Sequence, residues 1–213
     1  MSSRTEDKST VVLAVDTGGT FTDLLLLADG RLTTLKVPST PADPAEAVLT
    51  GSREMLGGAG THRLLHGSTV ATNSLLERKG ARVLLVTNRG FEDILEIGRQ
   101  NRPQLYALVG TRPAPLVARD DRLGIGGRLG PDGEEIEPLD AGELEALPDR
   151  VQNAEALAVV LLHSYANPSH EEAVAEVLEG AGRPLSVSAR LLPEYREYER
   201  TSTTVVNAFV APV

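Results

Sequence analysis

Cysteine and tryptophan are absent from this chain of 213 residues, and aromatic residues make up only 3% of it. Without thiols there is no disulfide, no thiolate nucleophile, no iron–sulfur cluster and no cysteine zinc site. The shortage of rings leaves the core to Leu, Val and Ala. A formal charge of -9 without a basic block lacks the electrostatic footprint of a nucleic-acid or anionic-membrane surface, so any anion site must be local. No apolar run is long enough to span a bilayer, and residues 1–10 are polar and of mixed charge, without the apolar centre of a signal peptide. These absences predict a soluble, cytoplasmic protein with no nucleic-acid and no membrane partner, long enough for one or two domains around a sizeable core.

What the chain does contain is an apolar run, Val11 to Val15, that stops on Asp16-Thr17-Gly18-Gly19-Thr20-Phe21-Thr22-Asp23. The run has no polar/apolar alternation and reads as a strand covered on both faces. Gly18 and Gly19 lack a Cβ, so the backbone can turn tightly there and bring its N–H groups close to an anion. Thr17, Thr20 and Thr22 add hydroxyls, and Asp16 at the end of a buried strand is placed to orient water on a magnesium ion held by phosphates. Asp23 either joins Asp16 at the metal or braces the turn. An ordinary Gly-Gly hairpin is the alternative reading. A Walker loop is not, because that element needs a Lys and opens a helix.

Further along, strands and helices alternate, the pattern of an α/β fold. Leu24–Leu27 and Leu32–Val37 are expected as second and third strands. Asp43, Pro44 and Glu46 open a helix that Gly57-Gly58 closes. A strand near Arg63–His66 leads to a helix over Val70–Lys79, and strands follow at Val83–Thr87, Leu157–Leu162 and Leu185–Ser188. Phe91–Gly98 reads as a short helix or turn, and Gly130–Gly133 as a hairpin. Asp140 and Glu143 cap a helix, another covers Ser169–Glu179, and a last one starts at Glu197.

The segment Asp16 to Asp23, the block from His66-Gly67-Ser68-Thr69 through Thr72-Asn73 to Lys79-Gly80, and Asn88-Arg89-Gly90-Phe91 through Gly98-Arg99-Gln100 closely resemble the amino-terminal part of the hydantoinase A / ATP-dependent 5-oxoprolinase family. His163-Ser164-Tyr165-Ala166-Asn167-Pro168 and the block from Arg196 to Thr204 extend the resemblance over nearly the whole chain. It implies an α/β actin-like ATPase (ribonuclease H-like) lobe, mixed sheet with flanking helices, the first half of a two-lobed nucleotide-binding fold. It also implies a polar tail over 1–10 without order, the hydantoinase/oxoprolinase N-terminal domain over 11–195, and the start of a following domain at 196–213. ATP and Mg2+ are the implied cofactors, with Asp16 as catalytic and metal residue and Asp16, Thr17, Gly18, Gly19, Thr20, Thr22 and Asp23 around the phosphates. The implied substrate is a cyclic amide, whose carbonyl oxygen is phosphorylated so that an otherwise poor electrophile can be opened. The implied partner is a hydantoinase B-like subunit or domain, in an oligomer. Ketone-carboxylating relatives, a sugar or small-acid kinase of the same superfamily, and a non-catalytic assembly lobe are the rival readings. The family's second Asp-x-Gly-Gly-Thr-like turn is missing here, so this chain alone is expected to bind ATP weakly and turn nothing over.

Other candidates carry less. Ser68, Thr69, Thr72 and Asn73 fall at a helix N-terminus, where they either hold a substrate anion or simply cap the helix. Arg89, Arg99 and Arg102 either pair with an anionic substrate or are absorbed by Glu92, Asp93 and Glu96. The four histidines lack the paired spacing of a metal helix. Glu194, Glu197 and Glu199 with Arg196 and Arg200 read as a solvated charged stretch.

Overall fold

The computed structural model describes residues 11–58, 62–101, 106 and 112–212. The chain divides into two compact units between Leu76 and Glu77. The expected tail over 1–10 and the side chain of Arg102 lie outside the described residues.

In the first unit, β1 (Val11–Thr17), β2 (Phe21–Ala28) and β3 (Arg31–Pro38) form an antiparallel meander, and β4 (His62–Ser68) lies parallel to β1, giving the mixed sheet order β3-β2-β1-β4. Asp29 and Gly30, both at positive φ (51° and 73°), make the turn between β2 and β3. Helix α1 (Pro44–Leu56) begins where the sequence says it should: the Asp43 side chain accepts from the Ala45 N–H at 3.1 Å, and Gly57 ends the helix at φ 52°. Its Gly51 lies so close over β2 that a Cβ there would sit 2.7 Å from Leu24. Packed under α1 are Leu13, Val15 and Leu24, flanked by Leu35, Val48 and Leu56.

Among the described residues of the unit, nothing covers the other face of this sheet. Register pairs Leu25 with Ala14, Leu27 with Val12 and Asp23 with Asp16 on that side, and Leu25, Leu27 and Leu65 are all exposed. The expectation of a β1 covered on both faces is therefore corrected: Leu13, Val15 and Thr17 are buried while Asp16 is exposed. A single helix covers one face of a sheet, and α1 is the helix that packs on β1, β2 and β3. Helix α2 (Val70–Glu77) follows β4, ending two residues earlier than expected because Arg78 takes a left-handed conformation at φ 55°.

The second unit is built on a parallel sheet, β10 (Leu185–Val187), β9 (Ala156–Val160), β5 (Val83–Asn88) and β6 (Arg122–Ile125) in that spatial order. Here continuous apolar runs do mean burial on both sides. Val86, Leu157 and Val159 face α4 (Ala141–Arg150) and α5 (Ser169–Glu179) through Leu147, Val174 and Leu178. The opposite side carries Val83, Leu85, Ala156 and Ala158, where small residues admit α7 (Glu197–Val210) with its buried Val205, Ala208 and Phe209. Short helices α3 (Ile94–Ile97) and α6 (Ser188–Leu191) and the hairpin of β7 (Arg128–Leu129) and β8 (Glu135–Glu137) complete the unit. Strand β6 was not expected, since its four residues carry a Gly and sit among further glycines and acids.

The charged stretch at 194–200 is not uniformly solvated, and this too is a correction. The Arg200 side chain is fully buried, 3.7 Å from the equally buried Glu171. Its Nη1 donates to the hydroxyls of Ser164 and Ser188, while Glu171 accepts from the Leu161 N–H (2.7 Å), the Ser188 hydroxyl (2.6 Å) and the Ala189 N–H (2.8 Å). Burial pushes the Arg200 pKa down, opposed by the Glu171 charge.

Candidate phosphate-binding turn and its surroundings

The turn between β1 and β2 is shaped from behind by Ser39. Its hydroxyl donates to the Gly18 carbonyl at 2.8 Å and its N–H donates to the Thr20 carbonyl at 3.0 Å. In a trans peptide the N–H points opposite the carbonyl, so fixing the Gly18 oxygen toward Ser39 turns the Gly19 N–H away from it. Gly18 N–H is used on the Phe21 carbonyl at 3.1 Å, but among the described residues the N–H groups of Gly19 and Thr20 have no partner. Both residues are exposed. A Cβ on Gly18 would lie 3.0 Å from the Phe21 carbonyl oxygen, so a side chain there would have to push that backbone aside by a few tenths of an ångström.

The two alternating faces of the hairpin divide the remaining residues. Thr17 and Thr22 point to the α1 side and are buried, Thr17 bonded to His66 Nε2 at 3.0 Å and Thr22 to Ser39 at 3.0 Å. Their hydroxyls brace the turn, and only Thr20 presents a free one outward. Asp16 and Asp23 lie opposite each other on the uncovered face. Asp23 is held by Lys36 at 2.5 Å, while among the described residues Asp16 has no hydrogen bond or ion pair.

The parallel pairing of β4 with β1 sets Gly67 beside Asp16 and Ser68 beside Thr17, which delivers the start of α2 to the same place. Thr69 donates its N–H to the Thr17 carbonyl at 3.1 Å, and Ser68 Oγ accepts from the Val70 N–H, the first of α2, at 3.1 Å. Asn73 donates its side-chain amide to Thr69 Oγ1 at 3.3 Å, and the same amide nitrogen would be 3.3 Å from a Cβ on Gly19. Thr72 is exposed on the first turn. Two groups of residues about fifty positions apart in sequence thus meet around the unpaired donors of the turn. Ser39, which organises the turn, carries little local signal beyond a Ser-Thr pair between a strand and a helix cap.

A phosphate chain and a magnesium ion fit this equipment. Free backbone N–H groups in a glycine turn next to a helix N-terminus suit phosphate oxygens. Among the described residues no three His, Asp or Glu side chains converge to hold a metal. Magnesium does not ask for such a cage, since it commonly keeps waters and is held through one or two carboxylates plus substrate phosphates, which the free Asp16 and its neighbour Asp23 can supply.

The remaining candidates belong to the second unit. Arg89 pairs with Glu143, not with the acids close to it in sequence, and Arg99 pairs through Nε with Glu199 at 2.7 Å while stacking over Tyr198. Asp93 and Glu96 are taken by Arg119 and Arg122 instead. His163 Nδ1 meets the Leu129 carbonyl at 2.7 Å and His170 Nε2 meets Glu135 at 2.8 Å. Among the described residues no helix is long and apolar enough to cross a membrane.

These features define the class: an α/β actin-like ATPase lobe with a mixed sheet and flanking helices. Within it, a family model described as the hydantoinase/oxoprolinase N-terminal region matches residues 12–182, and the chain belongs to that family. It is 38% identical to the caprolactamase subunit alpha of Pseudomonas jessenii over 94% of this chain and 31% of that one. The crystal structure of that ATP-dependent caprolactamase superposes with a TM-score of 0.80 over 94% of this chain and 31% of its own. The nucleotide-free structure of acetone carboxylase, at 29% identity, gives a TM-score of 0.81 over 96% of this chain and 32% of its own. 5-Oxoprolinase 1 of Arabidopsis thaliana is 33% identical over 93% of this chain and 19% of its own length. The chain therefore spans a third or less of the length of these relatives.

Proposed function

We propose that this chain is the nucleotide-phosphate-binding lobe of an ATP-dependent cyclic-amide hydrolase, in which Mg-ATP phosphorylates the ring carbonyl oxygen. The observation that carries the reading is the unpaired donor set at Gly19 and Thr20, facing the start of α2 and flanked by the free Asp16 carboxylate. Phosphoryl transfer depends chiefly on positioning and charge neutralisation, which is what such a set offers. Gly19, Thr20 and the α2 N-terminus with Asn73 hold phosphate oxygens; Asp16, with Asp23 beside it, holds the hydrated magnesium ion. The metal, when bound, neutralises charge on the transferring phosphoryl group. Thr17, Thr22 and Ser39 keep the loop in shape from the buried side.

A lactam as substrate is supported by the caprolactamase and 5-oxoprolinase relatives, at 38% and 33% identity, although the acetophenone carboxylase gamma subunit, at 34%, lies between them. The fold match of 0.81 to acetone carboxylase keeps ketone carboxylation as the second reading. Multi-subunit assembly is supported by a relative that is itself the alpha subunit of its enzyme, and a hydantoinase B-like subunit or domain is the partner we assign. The test is Mg-ATP hydrolysis by this lobe within a polypeptide of the relatives' length and with the partner present, with 5-oxoproline, hydantoin or caprolactam added. Stimulation by one ring, lost in Asp16→Ala, is the expected result. Stimulation by acetone alone transfers the reading to ketone carboxylation, and hydrolysis indifferent to Asp16→Ala overturns the site.

A further inference from the structure

A cavity of about 740 Å³ lies within the second unit, walled by three segments. Helix α7 contributes Tyr198, Ser202 and Val205, spaced four and three residues apart and so on one face of the helix. Leu95 and Arg99 come from α3 and the residues after it, and Arg112 to Leu116 form the third wall. The volume falls within the range of small-molecule pockets, as does the mixture of an apolar lining with a few polar groups.

Its electrostatics favour an anion. Glu96 is matched by Arg122 at 3.2 Å and Glu199 by Arg99 at 2.7 Å, so both acids are already neutralised. Arg112 has no carboxylate partner among the described residues. Its Nη1 donates to the carbonyls of Glu96 and Ile97, each at 3.0 Å, and its Nη2 to that of Asn101. Three neutral carbonyls fix the guanidinium plane without cancelling its charge. Donors remain: among the described residues Arg99 uses only Nε, and the hydroxyls of Tyr198 and Ser202 are unbonded. Gly98, at φ 54° and ψ -144°, adopts a conformation nearly reserved for glycine, and a Cβ there would sit 3.7 Å from the Tyr198 ring and 3.8 Å from Arg112. Glycine keeps the space between those two side chains open.

We propose that this cavity binds a small organic carboxylate, its charge met by Arg112, with hydrogen bonds from the unused N–H groups of Arg99 and from Tyr198 and Ser202, and its apolar body against Leu95, Leu116 and Val205. The site stands on its own observations and does not depend on the phosphate-binding turn. The test is an amide-resonance titration of the 213-residue chain with 5-oxoproline, with benzoate, and with 5-oxoprolinamide, which keeps the ring and removes the charge. Saturable shifts at Gly98, Tyr198 and Ser202 with at least one of the two acids are expected, and at least about tenfold weaker binding of the amide than of 5-oxoproline if that acid binds. Arg99→Gln and the cavity-filling Ser202→Leu should each weaken acid binding by about tenfold or more, while Asp16→Ala leaves it unchanged. Equal binding of 5-oxoproline and its amide, binding unmoved by both cavity variants in chains whose spectra remain folded, or no saturable shift with either acid would overturn the proposal.

Discussion

The two units contain nearly the same sequence signal and resolve it differently. Val11–Val15 and Ala156–Val160 are both uninterrupted apolar runs, yet every residue of the second is buried whereas the first alternates, with Leu13 and Val15 inside and Ala14 only half-buried. The difference lies in what packs on each sheet. In the second unit α4 and α5 take one face and α7 the other; in the first, α1 is, among the described residues, the helix that packs on the meander. An apolar run therefore does not by itself tell a strand buried on both faces from one buried on a single face. The uncovered face of the first unit is also the face that carries Asp16 and Asp23, the acidic pair of the candidate site.

The strongest way to break the contrast is in the doubly covered unit. Removing Glu171 with Glu171→Ala leaves Arg200 charged and buried without its counter-ion, and should cost about 3–5 kcal/mol in urea unfolding of that unit. In the first unit Leu24→Ala, beneath α1, should cost about 2–5 kcal/mol, whereas Leu25→Ala on the opposite face should cost about 0.5 kcal/mol or less. If Leu25→Ala proved as damaging as Leu24→Ala, the sheet would be covered on both faces in solution and the contrast would fail. Asp43→Ala removes the side-chain cap of α1 and should lower stability by about 1 kcal/mol. The smallest effect is electrostatic. The hydrogen bond and charge of Arg99 hold the Glu199 pKa below its ordinary value of 4.5, so the tie between Arg99 and α7 is present above that pH and is lost as pH falls through the depressed value. Carboxylate titration of Glu199 by NMR, with and without Arg99→Gln, should show the pKa rising in the variant.

Local signals were legible and long-range ones were not. Asp43, Pro44 and Gly57 fixed α1 to the residue because capping is written in adjacent side chains. The alternation of strands and helices pointed to the α/β class, and the glycine turn announced itself by an apolar strand ending on an acid and two glycines. Strand β6 was missed because its four residues gain their strand character from pairing with β5, not from their own composition. Arg200 was misread because its sequence neighbours are charged, while its burial comes from Glu171, Ser164 and Ser188 on other elements. Ser39 escaped notice for the same reason, as did the cavity beside Tyr198, whose walls are drawn from three separate segments. The pairing of Arg89 with Glu143 and of Arg99 with Glu199 likewise crosses 54 and 100 positions, beyond any local rule.

The central claim is that the unpaired N–H groups of the glycine turn receive phosphate oxygens, and it is tested most directly by titrating the isotope-labelled chain with Mg-ATP while following individual amide resonances. Shifts are expected at Gly19 and Thr20, together with Thr72 and Asn73 at the start of α2, growing with millimolar nucleotide and absent with adenosine. Resonances of the turn that stay still while Mg-ATP perturbs other parts of the chain, or equal shifts with adenosine, would contradict the claim.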